Sequence, residues 1–124
     1  MVSAQRRYFR SHVTLDIEYR LSMLDKLRCA VERFEQELLD ALRIDLHKSP
    51  EEAYLTELSI IYAEIDNFKR HLRRWAAPSK RTTPLKLRPS RSVILTEPLG
   101  CALIIAPWNY PVQLLLNPLI GAIA

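Results

Sequence analysis

The chain has 124 residues, of which 48% are hydrophobic and 26% charged, a composition that excludes a chain disordered throughout. Its two glycines, Gly100 and Gly121, are too few and too far apart for a collagen-like repeat or a glycine-rich phosphate loop, and two cysteines cannot build a disulfide framework. The net charge of +4 is uneven: residues 1–68 hold 9 Lys/Arg against 13 Asp/Glu, residues 69–91 hold 9 basic residues and no acid, and residues 98–124 hold no charge.

Ala4–Val13 predicts a short first helix. Met1–Arg10 carries three arginines and no apolar run follows it, so no signal peptide is expected, and a reduced, cytoplasmic location is the default. Thr14 can cap a second helix, with Asp16 and Glu18 in its first turn. Leu21, Leu24, Leu27, Val31, Phe34, Leu38 and Leu42 then recur at spacings of three and four, on one face. Unbroken, that helix would run about 33 residues, roughly 50 Å. Arg43, His47 and Lys48 close it, where positive charge is favoured.

Ser49, Pro50 and Glu52 form a start signal: an N-cap, a proline at the first helical position and a capping box. The apolar seam that follows is Tyr54, Leu58, Ile61, Ile65, Phe68, Leu72 and Trp75, with a mean period of about 3.5 residues. A coiled coil and an antiparallel helix pair within the chain both fit, and the short connector favours the pair. Pro78 ends this helix. Thr83–Arg88 and Ser92–Glu97 read as strands joined by a turn at Arg88–Arg91.

Cys101–Ala106 is a continuous apolar run, the pattern of a strand covered on both faces. Pro107-Trp108-Asn109-Tyr110-Pro111 is a rigid turn, and Pro111 can open a helix through Ala124, bent near Pro118. Prolines and glycines cut this uncharged tail into pieces too short for a transmembrane helix. The order strand, turn, helix is the opening of an α/β unit whose partner strand does not follow. The chain therefore reads as an N-terminal fragment of a longer fold.

Asn109 is the leading candidate for chemistry, because α/β folds place ligands at the ends of parallel strands. An amide held between aromatics and prolines suits a developing oxyanion, while the simpler reading on spacing alone is a helix cap. Cys101 opens an apolar run without a base nearby, which fits a buried inert thiol better than a nucleophile. His12, His47 and His71 have no metal-ligand spacing, so no metal site is expected. The carboxylates follow the pattern of solvated helix faces and give no acid/base pair. The basic stretch 69–91 admits a nucleic-acid patch, a solvated helix end plus a loop, or a basic rim near an anionic cofactor.

Glu97-Pro98-Leu99-Gly100, Leu103 through Pro111, and Pro118 through Ala124 together resemble the NAD(P)-dependent aldehyde dehydrogenase superfamily. Asp45 through Ser49 and Glu52 through Glu57 are similar to the N-terminal helices of its class 3 branch. The resemblance implies an α/β architecture in three parts. These are an N-terminal helical segment at 1–82, a β-hairpin arm of the oligomerisation type at 83–97, and the start of a Rossmann-like nucleotide-binding domain at 98–124. It implies oxidation of a small-molecule aldehyde to a carboxylic acid with NAD or NADP, through a cysteine thiolate and a thioester. Asn109 matches the family's oxyanion-hole asparagine, and Ile105, Ala106, Pro107 and Trp108 match the strand end lining the cofactor cleft. The family's nucleophilic cysteine and glutamate base lie downstream, so these 124 residues are expected to have no turnover of their own. A homodimer is implied for the full-length enzyme, with no nucleic-acid partner. The alternative is a helical interaction or nucleic-acid-binding module using residues 69–91.

Overall fold

The computed structural model describes Met1–Ala124. Helix α1 is Val2–Arg10, and a short 3₁₀ turn at Val13–Leu15 leads into α2, Ile17–Arg33. The cap of α2 is Asp16, whose carboxylate accepts from the Glu18 and Tyr19 N–H groups at 3.3 and 3.2 Å. Thr14 lies in the 3₁₀ turn and does not serve as the cap.

The expected 33-residue rod is broken at Phe34 (φ −102°, ψ 13°), and α3 follows as Glu35–Leu46. Helix α5, Ser59–Ala76, packs against α2. The break moves Phe34 to the surface and keeps Leu42 buried.

Ser49 caps the next helix as expected, its hydroxyl accepting from the Glu52 N–H at 3.1 Å, with Pro50 at the first position. That helix, α4, is Pro50–Ala53, and it passes through a π turn at Tyr54–Leu58 into α5. The seam read from sequence is buried at Leu58, Ile61, Ile65 and Leu72, whereas Tyr54 and Trp75 are exposed.

Strands β1, Ser79–Arg81, and β2, Ser92–Ile94, form a two-stranded antiparallel sheet in which Lys80 faces Val93. The first strand was expected at Thr83–Arg88. Pro84 has no N–H to give a ladder, and Leu85–Leu87 form a 3₁₀ turn instead, so pairing moves upstream. Thr83 ties the loop by accepting the Ser92 N–H at 3.0 Å.

Residues 101–106 form no ladder, although the apolar run reads as a strand. A strand needs a partner for its N–H and C=O groups, and within residues 1–124 the one sheet consists of β1 and β2. Leu103 is 85% exposed and Ile105 83%. Helix α6, Pro111–Ile123, forms as expected, with Pro118 inside it. It packs back onto the helices: Ile120 joins Leu24 and Val31 of α2, Leu58, and Ile61 and Ile65 of α5 in one buried cluster. No helix is long and apolar enough to cross a membrane.

Candidate functional site

The turn at 107–111 leaves the apolar extended run and enters α6. Gly100 opens this run with φ +114°, a conformation that side chains disfavour, and the position its Cβ would take lies 3.8 Å from the Phe9 ring of α1. Trp108, 88% exposed, and Asn109 both face solvent. The first turn of α6 has N–H groups that need acceptors.

Asn109 does not provide one. The N-cap position is Tyr110, and no side chain of the turn caps the helix. The acceptor is Glu57, from the π turn, whose Oε2 receives the Val112 N–H at 2.9 Å and the Gln113 N–H at 3.2 Å. The helix-cap reading of Asn109 is therefore replaced by a cap from 55 residues upstream. The Asn109 amide is left exposed, without an intramolecular partner.

Glu57 is fully buried, and its other oxygen pairs with Lys48 Nζ at 2.6 Å. Lys48 is placed by His47, which ends α3 in a left-handed conformation (φ 54°) and donates its N–H to Arg43. From there Lys48 Nζ also donates to the Asn109 carbonyl at 3.3 Å and lies 4.0 Å from the centre of the Tyr110 ring. Removing one member of a buried, hydrogen-bonded ion pair costs about 3–5 kcal/mol, because the other charge is stranded.

The sequence reading placed the carboxylates on solvated faces, which holds for most of them and fails for Glu57. The signal was present. Glu57 lies four residues from both Ala53 and Ile61, on the buried stripe, where a carboxylate persists only with partners. It also occupies a π turn, a geometry that recurs at functional sites.

Ile105, Ala106, Pro107 and Trp108 lie in one extended, uncharged stretch running into this turn, with Ala106 half-buried and the others exposed. Such a stretch offers apolar side chains and free main-chain groups. It offers no phosphate cradle. Clefts beside Gly100–Ala102 are walled by residues of α1, α5 and α6, and Asn109 lines none of them. Cys29 and Cys101 are both exposed, so Cys101 is not the buried thiol expected. No cluster of His, Cys, Asp or Glu is arranged to hold a metal ion.

The basic stretch is partly neutralised. Lys69 pairs with Asp25, Arg73 with Glu18, and Arg70 donates to the Asp66 carbonyl. The bond to Glu18 also holds the Arg73 guanidinium above its ordinary pKa.

Comparison with known proteins places this geometry in context. The model of the aldehyde dehydrogenase family matches residues 1–124. A 4,4'-diaponeurosporen-aldehyde dehydrogenase of Staphylococcus aureus is 44% identical over 119 residues, covering 96% of this chain and 26% of that protein. Aldehyde dehydrogenase family 3 member H1 of Arabidopsis thaliana is 39% identical over 124 residues, covering 100% of this chain and 26% of that protein. A solved structure of Staphylococcus aureus AldH in a substrate-bound state superimposes with a TM-score of 0.94 at 43% identity, covering 96% of this chain and 26% of that one. The chain thus spans about a quarter of the length of the relatives it matches.

Proposed function

Because the chain belongs to the aldehyde dehydrogenase family, we propose that it forms the N-terminal part of an enzyme that oxidises an aldehyde to a carboxylic acid with NAD or NADP. Asn109 is the catalytic residue this segment contributes. Its side-chain amide donates a hydrogen bond to the aldehyde oxygen as negative charge develops there during thiolate attack. The observation that carries this is the exposed, unengaged amide at the head of α6, freed from capping by Glu57.

Ile105 through Trp108 form one apolar wall of the cofactor cleft. NAD or NADP, when bound, supplies the hydride acceptor. The absence of charge from residue 98 onward suits that wall, since a fixed charge beside the ring would perturb its reduction. The thiolate and the glutamate base are assigned by the resemblance to positions after residue 124, so residues 1–124 alone have no turnover. A cytoplasmic, dimeric full-length enzyme completes the proposal. In it the helices up to Ala76 and the hairpin arm at Ser79–Ile94 flank the 98–124 start of the nucleotide-binding domain, and layers from later residues cover Leu103 and Ile105.

The test is a graft. Residues 1–124 replace the matching segment of the Staphylococcus aureus relative, and aldehyde-dependent reduction of NAD or NADP is followed. Asn109→Ala is expected to lower kcat by about 10²–10³-fold. An unchanged kcat would remove Asn109 from the chemistry.

A further inference from the structure

An amide that steadies an oxyanion works by preorganisation, so the main chain beneath it must be held before substrate arrives. Two buried side chains from distant segments hold the turn that carries Asn109 into α6.

We infer that Lys48 and Glu57 are positioning residues for the Asn109 amide. Glu57 fixes the main chain on the helix side, at Val112 and Gln113, and Lys48 fixes the carbonyl of Asn109 itself. The inference rests on the oxyanion reading of Asn109 for its catalytic meaning, and on the hydrogen bonds alone for its geometry.

Two observations separate this from ordinary core packing. First, an apolar pair of similar volume could fill the space, as replacements of buried ion pairs show. It would leave the Val112 and Gln113 N–H groups and the Asn109 carbonyl without partners. Second, every polar bond that the pair makes outside itself ends within residues 109–113, and the Tyr110 ring beside Lys48 lies in the same span. A cap from Asn109 would turn its own side chain back toward α6. With Glu57 as the cap, the amide is free to face a substrate.

Two measurements test the inference. In the graft, amide hydrogen exchange at Val112 and Gln113 is expected to quicken about tenfold in Glu57→Gln, as a charged acceptor becomes a neutral one. The amides of α5 should keep their rates and serve as the internal control. Unchanged exchange at Val112 and Gln113, or equal quickening throughout α5, overturns the inference. In the graft, Lys48→Met is expected to lower kcat by about 10–10²-fold, the scale of a small misplacement at a reacting centre. KM should stay within about threefold, since the lost interaction serves the transition state. Lys48→Arg should recover most of the loss by restoring the cation. Parallel changes in kcat and KM without rescue by arginine would reduce the pair to a structural role. If Asn109→Ala leaves kcat unchanged, the oxyanion reading alone fails, and the exchange measurement still decides the geometry.

Discussion

Arg20 Nη1 donates to the main-chain oxygen of Ala124 at 2.8 Å, joining residues 104 positions apart. The same guanidinium donates through Nε to the Thr14 carbonyl at 2.9 Å and through Nη2 to the Leu15 carbonyl at 2.8 Å. One planar fork thus ties the 3₁₀ turn before α2 to the end of α6. Arg20→Lys is expected to destabilise the chain by about 2 kcal/mol, because a point-like ammonium cannot reach three carbonyls in that geometry. Urea denaturation reads the change, and a midpoint equal to the parent's would show that the fork contributes nothing.

Ile120 is the fully buried residue through which α6 joins the helical core. Ile120→Ala should cost about 2–5 kcal/mol, the transfer term plus a cavity between α2, α5 and α6. Its counterpart on the exposed face, Leu115→Ala, should cost far less. Equal losses for the two would mean that α6 is not docked as described.

Tyr62 Oη donates to Glu35 Oε2 at 2.7 Å, tying α5 to α3. Burial first, and then this bond to a carboxylate, raise the phenol pKa well above its ordinary value of 10.0. A raised folded-state pKa means that the folded chain holds its proton more tightly than the unfolded one. The contribution is therefore complete below about pH 10 and is lost as pH rises through the folded value. Tyr62→Phe should cost about 1 kcal/mol at neutral pH. It should also lessen the fall in stability above pH 10, seen as convergence of variant and parent melting temperatures. Parallel curves would dissociate Tyr62 from the alkaline response.

Leu103, Ile105 and Trp108 present a large apolar surface on a segment without a ladder partner. Such surfaces promote association. The 124-residue chain should scatter light and bind a hydrophobic dye, and Ile105→Lys should lower both signals. A monodisperse monomer that binds no dye would contradict this.

The local signals read correctly wherever the deciding contact lay within a few residues. Ser49 and Pro50 start a helix, Pro78 follows the end of another, and Pro111 opens α6, since each acts on neighbouring main-chain groups. Thr14 and Asp16 are both good caps, and the choice between them depends on where the 3₁₀ turn before α2 ends. The hairpin was set too late because Lys80 and Arg81 look like solvent-facing charge, while Pro84 bars the residues after it from the ladder.

Sequence alone determined the helical periods, most of the helix starts, the uncharged tail and the motif around Asn109, all matters of adjacent residues and their side-chain chemistry. Only the tertiary structure decided that α2 stops at Arg33, that Ser79–Arg81 pairs with Ser92–Ile94, and that the cap of α6 is Glu57. Each of these depends on an acceptor, donor or apolar surface many residues away. Hydrogen-bond satisfaction and burial are settled in space, where spacing along the chain carries no information.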